Sequence, residues 1–180
     1  DEIVPVVKQT RKGDVVVDKD EEPGQVNFDK LAGLRPVFAK DGTITAGNAS
    51  TINDGAAFAL LASEAAVKKY RLPVLGRLLD TAWAGLAPQE MGLGPIFAMD
   101  RLLQRNPPAA EHIDLWEINE AFSAQVLACL KANQDVAWSQ QELGHKSLIP
   151  KIDESQLNVD GGSVSIGHPV GASGARIVLH

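Results

Sequence analysis

Residues 158–176 read NVDGGSVSIGHPVGASGAR, and the fold turns on how this stretch is parsed. Its first half alternates small and apolar side chains, the period of a short strand, while Gly171, Ala172, Ser173 and Gly174 open a helical run over Ala175–Leu179. This parse sets His168 on a strand-to-helix loop, where open α/β sheets keep their chemistry. Glycines on either side permit close backbone approaches, and Pro169 fixes the chain just after the imidazole. His168 therefore reads as a held side chain; the competing reading is a glycine-rich turn with an incidental histidine. The glycine spacing fits neither a dinucleotide fingerprint nor a phosphate-binding P-loop.

Working outward, Ile113–Ile118 reads as a strand that passes directly into NEAF (Asn119–Phe122) and a helix through Lys131, repeating the junction at His168. Neighbouring parallel strands lie roughly 4.8 Å apart, so loops leaving their same ends can bring the Asn119 amide and the His168 imidazole to one water or oxyanion. Upstream, Met91–Pro95 is a loop with proline at a helix start, and Ile96, Met99, Leu102 and Leu103 recur at helical spacing. Val74–Ala84 reads as a strand and Ala56–Tyr70 as a helix with Lys68 and Lys69 in its last turn. Before it, Gly47–Gly55 (GNASTINDG) is a loop too polar for a core, in which Asn53 or Asp54 either caps the helix or touches a ligand. Two strands around a basic turn at 8–12 open the chain, and Thr43–Ala46 is strand-like. Asn133–Leu157 reads as a polar surface connection. Strand, helix, strand, helix, strand is the pattern of a parallel α/β sheet.

The bulk numbers agree with a globular domain. The 180 residues are 44% hydrophobic and carry a net charge of −6, with no basic run or aromatic platform, which argues against nucleic acid as a partner. The single cysteine excludes an internal disulfide and fits a reducing compartment, with the cytoplasm as the default; no stretch approaches the roughly 20 apolar residues of a membrane span. His112 and His145 read as solvent-facing, with no cluster at metal-ligand spacing. The abrupt start at Asp1 and the stop inside the apolar run Ile177–His180 lead us to expect a longer natural polypeptide, and a poorly soluble or self-associating chain when expressed without the rest.

Taken together, GNAS with NDG, NEAF, and NVDGGSVSIGHPVGASGAR resemble the thiolase family, the acyl-CoA C-acyltransferases, in the family's order over most of the chain. The resemblance implies a layered αβαβα fold of which this is an incomplete part. By it, 1–52 is the end of a CoA-covering loop domain, 53–72 the last elements of the N-terminal half, and 73–180 the truncated C-terminal domain. The implied reaction is reversible Claisen condensation and thiolysis of acyl-CoA. His168 matches the histidine that activates the nucleophilic thiol, and Asn119 the asparagine that holds an oxyanion-hole water. Such preoriented donors stabilise a developing thioester enolate, each contributing about 2.7–4 kcal/mol. Ser50 matches the residue bonded to the pantetheine arm, Leu34, Phe38, Ala46 and Ile52 match apolar positions around the coenzyme, and Met91 and Phe122 match the lining of the acyl site. Packing in the core is the competing reading for each of these.

Both family cysteines have no counterpart here, one expected upstream of Asp1 and the other beyond His180. Cys129 sits mid-helix among Leu127, Ala128 and Leu130, the setting of a small buried hydrophobe. The chain alone is therefore expected to be inactive. The implied partners are CoA and acyl-CoA as substrates with no permanently bound cofactor, the remainder of the polypeptide, and further copies in a homodimer or homotetramer. The place of such an enzyme is fatty acid metabolism. Two other readings remain open: a non-catalytic CoA or acyl-CoA binding module of the same fold, and a ketoacyl carrier-protein synthase, against which NEAF with GHP weighs.

Overall fold

The computed structural model describes residues 3–180. An antiparallel hairpin comes first, β1 (Val6–Thr10) against β2 (Gly13–Val17), in a register that sets Val6 opposite Val17 and Thr10 opposite Gly13. The expected hairpin is thus present with a tighter turn, closed by the Thr10 hydroxyl donating to the Gly13 carbonyl at 2.7 Å and by a φ of +115° at Gly13. The start of the first expected strand, at Asp1 and Glu2, lies outside the described residues.

The core belongs to the second half. Helix α3 (Gly94–Arg105) begins on Pro95, and its Ile96, Asp100 and Leu103 are buried on one face; the one-turn α1 (Phe28–Leu31) and the short α2 (Glu64–Tyr70) precede it with no buried residue. In α4 (Ser123–Gln134), Val126, Cys129, Leu130 and Asn133 are buried at the same helical spacing. These faces meet Trp116, Ile118, Ile149 and Ile152 in one cluster. At about 1.5–3 kcal/mol for each large aliphatic side chain buried, this cluster holds the two helices together. Among the described residues, no side chain before Ile96 is buried.

The connection from Asn133 to Leu157 corrects the sequence reading. It contains α5 (Val136–Glu142), capped by the Asp135 carboxylate, which accepts from the Trp138 amide at 3.0 Å, and it sends Ile149 and Ile152 into the core. The reason is a buried anchor on α3. Asp100, 2% exposed, accepts from the Leu148 amide at 2.9 Å and from Gln104 Nε2 at 2.9 Å, and lies 3.1 Å from His145 Nε2. His145 is accordingly half-buried rather than solvent-facing.

Several expected strands and one helix are not formed as read. Val74–Ala84 has no regular structure, with Leu75 98% exposed, and Thr43–Ala46 forms bends and turns. Ile113–Ile118 makes a single parallel bridge, Trp116 to Leu157. The helix expected over Ala56–Tyr70 starts only at Glu64, capped by Ser63. Residues 163–166, expected in a strand, form the single turn α6 (Ser163–Ile166), and α7 (Ser173–Leu179) follows the His168 loop. A strand is completed by its neighbour's backbone groups, and among the described residues no second strand lies beside these segments. Residues 74–84 and 113–118 accordingly form no ladder.

Candidate active site

Three separated segments converge on His168. Its backbone amide donates to the Thr51 carbonyl at 2.9 Å and to Asn53 Oδ1 at 3.2 Å. Asn53 therefore neither caps α2 nor faces solvent; it clamps the histidine loop. The fit leaves no slack at Gly167, where φ is +83° and an added Cβ would lie 2.2 Å from Asn53 Oδ1. An equally close approach holds the preceding turn, since a Cβ at Gly162 would lie 2.1 Å from Cδ of Glu120. Glu120 accepts from Asn158 Nδ2 at 2.8 Å and from the Val164 amide at 3.3 Å, so its carboxylate orders the turn into α6.

The imidazole is oriented from both nitrogens. Ser173, buried at the start of α7, donates its hydroxyl to the Pro169 carbonyl at 3.1 Å and lies 2.7 Å from His168 Nδ1. With that proton given to the Pro169 carbonyl, the serine oxygen is free to accept from Nδ1, which places the hydrogen of a neutral ring there. The lone pair of Nε2 then faces Nδ2 of Asn119 at 3.4 Å. The amide and the imidazole read from the sequence are thus brought together. Nδ2 is left as a donor beside a ring nitrogen that can accept a proton, the pair of functions needed to deprotonate a nucleophile and to bind a developing oxyanion.

The other residues singled out from the sequence are dispersed around this pair. The Ser50 hydroxyl donates to the Ala121 carbonyl at 2.9 Å, and the Ser123 amide donates to the Asn48 carbonyl at 2.9 Å, so the GNAS loop is laced to NEAF. Ile52, 93% exposed, bridges to His168 through its backbone. Phe38 is exposed and meets Phe122 edge-on with ring centroids 5.7 Å apart. Leu34 is half-buried against Gly47, Ala46 is exposed, and Met91 is exposed on a 3-10 turn over Pro88–Leu93.

Cys129 is fully buried in α4, with Sγ 3.3 Å from the Gly92 carbonyl and 3.6 Å from Gln125 Nε2, and burial pushes its thiol above the ordinary value. It has the environment of a core residue, not of a nucleophile. A cavity of about 30 Å³ is lined among others by Glu117, Asn119, Ser163, Arg176 and Ile177 but not by His168. Burial pushes the Glu117 carboxyl up there, against the opposing effect of His180 and with smaller additions from Asp160 and Glu120. Among the described residues no group of acidic, histidine and cysteine side chains could hold a metal ion.

Sequence reasoning left Asn53 between helix capping and ligand contact and did not foresee its bond to the His168 amide; it missed Arg176 as a partner of the site, and it saw Ser163 and Ser173 only as local structure. Ser173 carried a usable signal, five residues after His168 at a helix start. The partner of Asn53 carried none, because the contact spans 115 residues.

Residues 72–180 match the thiolase C-terminal domain and residues 1–65 the thiolase N-terminal domain, so the chain belongs to the thiolase family. It is 47% identical over 179 residues to an acetyl-CoA acetyltransferase of Rhizobium meliloti, covering 99% of this chain and 41% of the relative. The acetyl-CoA acetyltransferase of Bacillus anthracis superposes with a TM-score of 0.81 at 41% identity, over 99% of this chain and 41% of that one. A thiolase of Ascaris suum in complex with coenzyme A superposes with a TM-score of 0.75 at 37% identity, over 99% and 41%. The chain path is therefore that of the thiolase fold, an α/β architecture, and the chain spans about two-fifths of the length of the curated relatives it matches. No helix among the described residues is long and apolar enough to cross a membrane.

Proposed function

We propose that this chain supplies the base and oxyanion half of a thiolase active site, in a polypeptide that condenses or cleaves acyl-CoA thioesters by acyl transfer to CoA or acetyl-CoA. The observation that carries the reading is the approach of His168 Nε2 to Asn119 Nδ2 at 3.4 Å, with Ser173 fixing the ring from behind. In this reading His168 takes the proton of a nucleophilic thiol held by another part of the polypeptide. The amide of Asn119, directly or through one water, then donates to the thioester oxygen as it gains charge. The buried setting of Cys129 supports placing that thiol elsewhere.

Coenzyme A enters as substrate rather than as a resident cofactor. Its arm is assigned to the loop bearing Ser50, with Leu34, Phe38, Ala46 and Ile52 beside it, and the acyl group to Met91 and Phe122. Residues 1–52 then form the end of a coenzyme-covering domain, 53–72 the close of the N-terminal half, and 73–180 the C-terminal domain. The apolar side chains exposed over 58–83, among them Phe58, Leu60, Leu75 and Trp83, need cover from the rest of the polypeptide or from a second copy in a homodimer or homotetramer. A role in fatty acid metabolism in the cytoplasm is in keeping with CoA chemistry and an unpaired cysteine.

The test is CoA-dependent cleavage of acetoacetyl-CoA by the full-length polypeptide. His168→Ala is expected to lower turnover on the order of a hundred-fold or more while the calorimetric affinity for CoA stays within a few-fold. Asn119→Ala is expected to lower it less. A wild-type polypeptide that binds CoA but never turns over acetoacetyl-CoA would establish a non-catalytic binding module instead.

A further inference from the structure

Asn119 can serve the site only if its amide presents nitrogen, not oxygen, toward His168. The two ends have nearly the same shape, and a half-turn about the last side-chain bond exchanges a donor for an acceptor. Something must choose the orientation. Ser163, 2% exposed in α6, donates its hydroxyl to Asn119 Oδ1 at 2.6 Å. The serine has one proton to give, and of the two side chains bonded to its oxygen Arg176, donating from Nη2 at 3.3 Å, cannot accept it, whereas Asn119 Oδ1 can. The same Nη2 donates to the Gly167 carbonyl at 2.8 Å, immediately before His168. One guanidinium thus ties the amide, through Ser163, to the backbone that carries the imidazole.

We propose that Ser163, held by Arg176, is a positioning residue that selects the amide orientation of Asn119 and so keeps a hydrogen-bond donor turned toward His168 and the thioester oxygen. This rests on the acyl-transfer reading of the site. With alanine at 163, Oδ1 loses its buried partner and the flipped amide becomes populated, turning an acceptor toward a developing negative charge.

The test uses the full-length polypeptide. Where the wild type cleaves acetoacetyl-CoA, Ser163→Ala is expected to lower kcat roughly ten-fold, about the value of one hydrogen bond, with KM changed less than about two-fold. In an Asn119→Ala background the same substitution should cost nothing further, because no amide remains to orient. Equal losses in the two backgrounds, or no loss in kcat, would overturn the proposal. Where the wild type has no turnover, the functional reading fails and the orientation is read by NMR. The side-chain amide signals of Asn119, identified by their absence in Asn119→Asp, should be single and slowly exchanging in the wild type and broadened or doubled in Ser163→Ala. Unchanged signals would overturn the proposal independently of activity.

Discussion

Oγ of Ser173 lies 2.7 Å from Nδ1 of His168 and 3.1 Å from the Pro169 carbonyl, so the serine is placed to set which ring nitrogen carries the hydrogen of a neutral imidazole. Ser173→Ala in the full-length polypeptide should release that constraint. Long-range proton–nitrogen NMR should show a single tautomer in the wild type and a mixture in the variant. Turnover of acetoacetyl-CoA should fall roughly ten-fold, the worth of one lost hydrogen bond.

Gly167 should tolerate no side chain. Its φ of +83° disfavours every L residue, and the space a Cβ needs is occupied by Asn53 Oδ1 at 2.2 Å. Gly167→Ala should destabilise the protein by more than about 1 kcal/mol. Gly171→Ala, with nothing within 4 Å of an added Cβ, should stay within about 0.5 kcal/mol of the parent. Urea unfolding midpoints compare the two.

Cys129 should resist alkylation in the native state. It is 0% exposed and its thiol is pushed up by burial, so iodoacetamide should reach it only through unfolding. Peptide mass spectrometry after timed alkylation, with and without urea, reads this directly. Cys129→Ala should leave turnover of the full-length polypeptide within about three-fold.

Asp80 should give a pH signature far from the site. Hydrogen bonding from Arg105, then from the Thr81 amide and Asn106, lowers its carboxyl from 3.8 to about 2. The folded value lies below the unfolded one, so its contribution is fully present above about 4 and is lost as pH falls toward 2. Carboxyl-carbon NMR should follow this titration, and Arg105→Ala should return the midpoint toward 3.8.

What the sequence could disclose depended on how far apart the interacting groups lie along the chain. Helix α3 was legible because Ile96, Met99 and Leu103 recur at a local period that burial of Ile96 and Leu103 enforces, and α4 as the helical run that follows NEAF. His168 and Asn119 were legible through the GHP and NEAF motifs, although the parallel strands expected to bring them together are not formed among the described residues. The burial of Ile149 was not, since it follows from Leu148 bonding to Asp100, 48 residues away. Residues 163–166 read as a strand because Ser-Val-Ser-Ile alternates, yet four residues bracketed by Gly162 and Gly167 fit a single helical turn equally well. For 74–84, a strand-like composition could not supply the neighbour that a ladder requires.

The clamp of Asn53 on the His168 amide closes a loop of 115 residues. Such a contact carries a loop-closure entropy cost that local helices and the hairpin do not, so it is expected to form after the α3–α4 core has reduced the search. The geometry around His168 should then be late to assemble in folding. Under gentle denaturation it should be the first to dissolve, with site function fading while the helical signal is still intact.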